Sequence, residues 1–277
     1  MNKIKNYKYS IISEHITIID TYLNNPIFIL LDEHNGNKIS NFCKNNLLRI
    51  LNSVKIPEYN IFEYIEKIKT IPIINTLYKL DEIIKYTEIF NQFIYDLDNE
   101  LYKYSMEFYN GCNIIITYII KKYIIQINLG NSKALLLNKD NSYKILSIVH
   151  NPSNPIEKKR IIKYNGLIEN NKINNYIPMS RCLGYYIYKN KNNINLSTQI
   201  IINTPTVIYH KFKNNEKYII IGSNNIWEVF TNNKLIFFIE YLYSNNIYNI
   251  EEIIILIQMK AKKIGCIGPI TLILIEL

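Results

Sequence analysis

The stretch around which the chain is organised reads Ile27-Phe28-Ile29-Leu30-Leu31-Asp32-Glu33-His34-Asn35-Gly36. Five apolar residues lead into a polar turn, and residues 38–51 then carry apolar side chains at helical spacing. This pattern predicts a buried strand, a turn and an amphipathic helix. A carboxylate at the end of a buried strand, here Asp32, is a position at which many folds hold a metal. The alternative is that Asp32 and Asn37 serve only the turn and the helix cap.

Length and composition indicate a globular chain with a large core. The sequence has 277 residues, 48% of them apolar, and we predict one domain over residues 1–277. The net charge is +9, but lysine is accompanied by abundant Asn, Ile and Tyr, which share A/T-rich codons. The densest basic cluster is Lys158-Lys159-Arg160, and no basic stripe follows any segment. The sequence therefore predicts no nucleic-acid binding.

The cysteines and the start of the chain bear on the compartment. Four cysteines are far apart and lack Cys-x-x-Cys spacing, so we expect neither a zinc site nor disulfides: Cys43, Cys112, Cys182 and Cys266. Residues 1–9 contain no apolar targeting segment, and no run reaches the length of a membrane span. We therefore expect an intracellular, cytoplasmic protein that does not contact a membrane.

Periodicity predicts the order of the elements. One or two early strands are expected before Pro26, and helices are expected at residues 80–104 and 155–164 and after the capping residues Thr231 and Asn249. Further strands are predicted at residues 113–120, 123–129, 133–137, 143–149 and 272–276. Residues 57–72 match no pattern, and residues 186–197 are turn-like.

Five later strings carry a resemblance to a known family. They are Asn128-Leu129-Gly130-Asn131-Ser132-Lys133-Ala134, His150-Asn151-Pro152, Met179-Ser180-Arg181-Cys182-Leu183-Gly184-Tyr185, Ser223-Asn224-Asn225-Ile226-Trp227-Glu228-Val229 and Gly268-Pro269-Ile270-Thr271. With the Asp32 stretch, they resemble in order the metal-dependent protein phosphatases, the type 2C family of serine/threonine phosphatases. The resemblance implies an α+β fold of two packed, mainly antiparallel sheets flanked by helices. It also implies that five positions converge at one end of the sheets: Asp32, Asn131, Tyr185, Asn224 and Gly268.

The same resemblance transfers the family's functional positions onto this chain. Its metal-binding carboxylates fall on Asp32, Asn224 and Gly268, with the backbone carbonyl of Glu33 as a further ligand. Further acids of its cleft fall on Asn131 and Tyr185, and an N-terminal acid falls on Ile12 or Ser13. The remaining cleft positions are Lys8, Glu14 and His34, where Lys8 stands near the family's phosphate-binding basic residue.

These substitutions predict a lost metal site, because Mg2+ and Mn2+ require anionic oxygens and one carboxylate of three remains. The leading hypothesis is a catalytically degenerate phosphatase, with no cofactor, that acts as a regulatory module binding an unidentified protein partner. The alternative is a divergent, active serine/threonine phosphatase that uses Mn2+ or Mg2+, with Glu33 and Glu228 supplying compensating oxygens. A third hypothesis, a nucleic-acid-binding domain, rests on net charge alone.

Overall fold

The computed structural model describes residues 2–4, 7–54, 74–105, 109–121, 123–189 and 199–277, with the backbone alone at residues 2–3, 74–86 and 105. The unassigned residues 57–72 and most of the turn-like segment 186–197 lie outside these ranges.

The described strands form two main sheets, in which every strand pair is antiparallel. The first sheet has the order β1-β2-β14-β13-β7-β8, and the second has the order β12-β6-β5-β4-β3 with β11 added to β5. A small hairpin of β9 and β10 stands apart from both. The strands are β1 Asn2–Ile4, β2 Tyr7–Ser13, β3 Ile16–Tyr22, β4 Asn25–His34, β5 Gly111–Ile120, β6 Tyr123–Leu129, β7 Lys133–Asn138, β8 Tyr143–Ile145, β9 Ile168–Glu169, β10 Lys172–Ile173, β11 Leu183–Gly184, β12 Thr206–Lys211, β13 Glu216–Gly222 and β14 Thr271–Glu276.

Helices cover the outer faces of both sheets. Asn154, Thr231 and Asn249 cap their helices as predicted, each accepting a backbone N–H bond on its side chain. The helices are α1 Lys38–Ser53, α2 Ile74–Ser105, α3 Pro155–Lys163, α4 Asn224–Val229, α5 Asn232–Ser244 and α6 Ile250–Lys263. A 3-10 turn at Tyr186–Tyr188 comes directly after β11.

Strand alternation separates the core into layers. Phe28 and Leu30 of β4 pack against side chains of the other sheet, whereas Ile29 and Leu31 pack against α1 and α2. A third apolar cluster fills the space between the first sheet and helices α4, α5 and α6. The resulting order of layers, helices, sheet, sheet and helices, confirms the predicted α+β fold class.

Two details differ from the sequence-based predictions. The strand predicted at residues 143–149 ends at Ile145, because Leu146 turns inward and its N–H bonds the carbonyl of Ala134. Asn37 occupies the cap position of α1, but its side chain makes no capping bond.

Cys43, Cys112 and Cys182 are buried free thiols, and Cys266 is half-buried. No helix in the described part of the chain is both long and apolar enough to cross a bilayer.

Candidate catalytic cleft

Asp32 lies near the end of β4, where alternation points its side chain into the layer between the two sheets. Four groups surround the buried carboxylate: His15 Nε2 at 3.3 Å, Asn113 Nδ2 at 3.4 Å, Ser132 Oγ at 3.4 Å and the backbone nitrogen of Asn224 at 3.5 Å. All four contacts are longer than an ordinary charge-assisted hydrogen bond of about 2.7–2.9 Å. Asp32 is therefore surrounded by donor groups but held tightly by none of them.

Asn113 links Asp32 to two further cleft positions. Its Nδ2 donates to Asn131 Oδ1 at 2.7 Å and lies 3.4 Å from His34 Nε2. Burial lowers the pKa of His34, although the negative charge of Asp32 opposes the shift. His34 is therefore neutral near pH 7, so that its Nε2 can accept from the Asn113 amide. The amide of Asn131 occupies its place in the network without adding charge.

Glu33 faces away from Asp32 because successive strand residues point to opposite sides of the sheet. Its carboxylate accepts the backbone N–H groups of Ile39 at 3.0 Å and Ser40 at 2.8 Å, and it also forms a short bond with the Ser40 hydroxyl. Glu33 thus caps α1 in place of Asn37. The carboxylate of Glu33 serves this helix, while its backbone pairs with Cys112 in the ladder of β4 and β5.

Asn224 and Gly268 lie on the opposite side of the cleft, after β13 and before β14. The Asn224 side chain donates to Glu228 Oε1 at 2.5 Å. Glu228 is the second acid, after Glu33, that was proposed as a compensating metal ligand, and this bond occupies it. Gly268 does not have a positive φ. A side chain at Gly268 would instead overlap Asn225, whose Nδ2 donates to the carbonyl of Pro269 at 2.7 Å.

Tyr185 contacts the turn that follows β4 through its hydroxyl group. Its ring packs against Gly111 in a buried apolar cluster with Cys182, and its hydroxyl accepts from Asn35 Nδ2 at 3.2 Å. Its backbone has a φ of +48°, in the left-handed region. The ring replaces the acid of the family string with packed apolar volume.

The structure does not bring Lys8 to Asp32. Lys8 pairs with Glu276 at 3.6 Å and is five residues along β2 from Ser13, about 16 Å in an extended strand. Glu14 is at the correct end, but its carboxylate accepts from Ile270 N–H at 2.8 Å and Lys262 Nζ at 3.1 Å. Of the transferred positions, Asp32, His34, Asn131 and Asn224 therefore form one connected group.

Three members of this group were missed by the sequence analysis: His15, Asn113 and Ser132. His15 follows Glu14 at the counterpart of an Ala-His pair in the family, and Ser132 belongs to the string that contains Asn131, so both carried a usable signal. Asn113 belongs to Gly111-Cys112-Asn113, which also resembles a string of the family, but that string does not mark Asn113 as a cleft residue. The His15 side chain is 10% exposed, and its Nε2 makes no hydrogen bond of acceptable geometry within the described residues.

A second buried network beside the cleft gives the carboxylate of Glu157 several close donors. The Glu157 carboxylate accepts hydrogen bonds from Arg160 at 2.7 Å, from the Ser180 hydroxyl at 2.6 Å, and from Nε and Nη2 of Arg181 at 2.5–3.1 Å. Burial alone would raise the pKa of Glu157, but the bonds and charge of Arg181, with Ser180 and Arg160, lower it to about 2. The donor distances at Glu157, 2.5–3.1 Å, are shorter than the 3.3–3.5 Å contacts of Asp32.

His150 anchors the string that contains Asn131. The Gly130 N–H donates to His150 Nδ1 at 3.2 Å, so the proton resides on Nε2, which donates to the Thr206 hydroxyl at 3.1 Å. Burial, reinforced by the charge of Arg181, lowers the pKa of His150 to about 3. His150 is thus a neutral structural residue.

The donor set at Asp32 does not fit a pair of hard divalent cations. Such ions require several anionic oxygens with lone pairs directed at the metal, whereas Asp32 meets amide, hydroxyl and imidazole groups. Among the described residues, no three His, Cys, Asp or Glu side chains are grouped as metal ligands.

Comparison with known proteins identifies what this arrangement is similar to. A family model described as Protein phosphatase 2C matches residues 10–254. Protein phosphatase 2C 1 of Paramecium tetraurelia is 24% identical over 240 residues, covering 85% of this chain and 74% of the relative. Protein phosphatase 2C homolog 3 of Schizosaccharomyces pombe is 23% identical over 244 residues, covering 86% of this chain and 53% of the relative. A phosphatase structure from Toxoplasma gondii superimposes with a TM-score of 0.76 at 15% identity, covering 98% of this chain and 93% of that one.

Proposed function

Because the chain belongs to the protein phosphatase 2C family, we propose that it is a member that has lost metal-dependent hydrolysis and acts as a protein-binding regulatory module. The observation that carries this proposal is the environment of Asp32. Of the three carboxylates expected to hold the metals, it alone is present, and the groups around it are donors. Enzymes of the family use divalent cations, which supply an activated water and stabilise charge on the phosphoryl oxygens.

The chemistry of the replaced side chains supports the loss. Asn131 and Asn224 keep the shape of aspartate but lack its charge, and a neutral amide does not offset the dehydration of a hard cation as a carboxylate does. Asn131 is also engaged by Asn113, and Asn224 by Glu228. The side chains of Asn131 and Asn224 are therefore already engaged by neighbouring side chains.

An active enzyme with rearranged ligands is the competing reading. It requires Glu33 or Glu228 to replace the missing acids. Glu33 caps α1 on the other face of β4, and Glu228 is bonded to Asn224. Neither carboxylate is directed at Asp32 by these contacts, so the geometry favours the inactive reading.

The proposed binding of a protein partner is supported by apolar side chains that are exposed on α5 and α6. Phe237 is 70% exposed and Met259 is 61% exposed, with Tyr241 and Ile255 about half exposed nearby on the same two helices. Exposed groups of large apolar side chains are typical of protein interaction sites. No nucleic acid or membrane enters this proposal.

Two measurements on the purified protein test the loss of chemistry. We expect calorimetric titration with Mn2+ to show millimolar or weaker binding, since even multi-carboxylate extracellular Ca2+ sites bind at about 10^-4 to 10^-3 M. We also expect turnover of p-nitrophenyl phosphate in Mn2+ or Mg2+ to match that of Asp32→Ala. Metal-dependent turnover that is abolished by Asp32→Ala would establish the competing reading.

A further inference from the structure

A pocket lies at the end of the sheets opposite the Asp32 cleft. It has a volume of about 410 Å³ and is lined by Tyr7, Lys121, Lys139, Phe212, Asn214, Glu216 and Leu277. Tyr7 begins β2, whereas Ser13 at its other end pairs with Thr271 beside the cleft, so the two sites are separated by about 20 Å of strand. The volume is within the range of small-molecule sites, about 300–1,000 Å³.

Tight turns bring the lysines of the pocket to its rim. Lys121 occupies the turn between β5 and β6 with a φ of +51°, and Lys139 follows β7. The backbone N–H of Lys139 donates to the carbonyl of Asn215 at 2.7 Å, and its ammonium donates to the carbonyl of Asn214 at 3.2 Å. The charge of Lys139 is thus positioned by a neutral acceptor.

The carboxylate of Glu216, which lines the pocket, accepts hydrogen bonds from two neighbouring residues. Its Oε1 accepts the backbone N–H of Lys213 at 2.7 Å and lies 3.0 Å from His210 Nε2. The Lys144 ammonium is 3.3 Å from His210 Nδ1, so that Nδ1 is the acceptor and Nε2–H donates to Glu216. These donors stabilise the ionised carboxylate of Glu216.

Among the described residues that line or directly adjoin the pocket, four lysines, Lys121, Lys139, Lys144 and Lys213, stand against two acids, Asp140 and Glu216. The net charge of this set is positive, and it stays positive whether or not a terminal carboxylate follows Leu277.

Aromatic and aliphatic side chains form the remaining wall. Tyr7, Phe212 and Leu277 all pack against the core between the two sheets. Phe212 is further held by an edge-to-face contact with His210, with ring centroids 6.4 Å apart. The pocket therefore combines a rigid apolar surface with a cationic rim.

We propose that this pocket binds a small anion attached to a flat aromatic body, such as an aryl sulfonate, phosphate or carboxylate. The ring would pack on Tyr7 and Phe212, and the acid group would reach Lys139 and Lys121. A neutral apolar ligand would cover the ammonium groups without replacing their lost hydration, which is unfavourable. A bare inorganic anion would leave the aromatic wall unused.

Three probes separate these contributions by isothermal titration calorimetry. Naphthalene-1-sulfonate has both the ring and the charge, naphthalene-1-sulfonamide has the ring alone, and methanesulfonate has the charge alone. We expect naphthalene-1-sulfonate to bind at least about tenfold more tightly than either of the others. It is not a phosphate ester, so any residual phosphatase activity leaves the measurement unaffected.

Variants locate the binding. Lys139→Gln and Phe212→Ala should each weaken naphthalene-1-sulfonate binding by about fivefold or more, and Lys139→Arg, which keeps the charge, should retain it. The matched controls are Lys158→Gln on α3 and Tyr104→Ala, an exposed aromatic residue on α2, which should bind as the wild type does. Amide chemical-shift changes at residues 139 and 214 would place the probe in the pocket.

Equal affinity for all three probes, no binding up to about 10 mM, or equal losses in the control variants would overturn the proposal. Asp32→Asn should leave probe binding unchanged, because the pocket and the cleft share no residues. The pocket and the proposed loss of phosphatase chemistry therefore succeed or fail separately.

Discussion

At the scale of single residues, Asn131 and Asn224 place amides at two positions where the resemblance to the family implies acids. Asn131 accepts the Asn113 amide, a role that an aspartate could also fill. An additional carboxylate would nevertheless stand close to Asp32, and two such charges about 4 Å apart repel by about 4 kcal/mol at an effective dielectric near 20. The amides at Asn131 and Asn224 do not add this repulsion.

Restoring both acids should therefore make stability depend on metal. We expect Asn131→Asp combined with Asn224→Asp to lower the melting temperature in chelator and to recover it in Mn2+, because the metal would bind only the native state. Differential scanning calorimetry with and without Mn2+ measures the effect. Gly268 is left unchanged, since a side chain there would displace Asn225.

The wild type and the conservative pair Asn131→Gln and Asn224→Gln serve as controls, and neither should respond to Mn2+. A wild type that itself melts lower in chelator would contradict the idea of a cleft without a metal site. So would a double aspartate variant that gains nothing from Mn2+.

At the scale of elements, a single carboxylate ties α2 to the segment that contains Tyr185. Asp98 is buried on α2 and accepts at 2.8 Å from each of three donors: the Gly184 N–H, the Lys189 ammonium and the Asn203 amide. The Tyr186 hydroxyl donates to the backbone carbonyl of Asp98 at 2.8 Å. α2 thus both covers the second sheet and fixes the chain that follows β11.

Removal of this carboxylate should be costly. We expect Asp98→Ala to lower the free energy of unfolding by about 3–5 kcal/mol, because the buried Lys189 ammonium would lose its partner. Urea denaturation measures the change. Asp96→Ala is the matched control on the same helix. Asp96 accepts from Gln92 in an exposed bond, and its loss should change stability by about 0.5 kcal/mol or less. Equal effects of the two changes would show that the Asp98 network is not specifically stabilising.

At the scale of the whole molecule, buried groups beside the cleft make the fold sensitive to acid. His150 stays neutral in the folded protein down to about pH 3, but an unfolded histidine gains a proton below about pH 6.5. Glu157 stays charged down to about pH 2 when folded, but it is protonated below about pH 4.5 when unfolded. In both cases the unfolded state binds more protons as the pH falls, so stability decreases.

The free energy of unfolding should accordingly fall as the pH is lowered from 6.5 to 4.5, with His150 contributing up to about 1.4 kcal/mol per pH unit, and Glu157 should add to the loss below about pH 4.5. Urea titrations across this range measure the slope. In His150→Gln the slope between pH 6.5 and 4.5 should be shallower, even though the variant is less stable overall. The same slope in both proteins would mean that other groups, such as His34, carry the dependence.

The sequence by itself determined the order of elements, the family and the replaced acids. Periodicity and capping residues such as Asn154 and Thr231 are local signals, so they can be read without a structure. Only the tertiary structure decided which positions meet, because His15 reaches Asp32 from the turn between β2 and β3 and Asn113 reaches it from β5. It also showed Lys8 at the far end of β2. Glu33 turns to α1 because alternation along a buried strand sends neighbouring carboxylates to opposite faces, and the layer that each face meets is a property of the packed sheets.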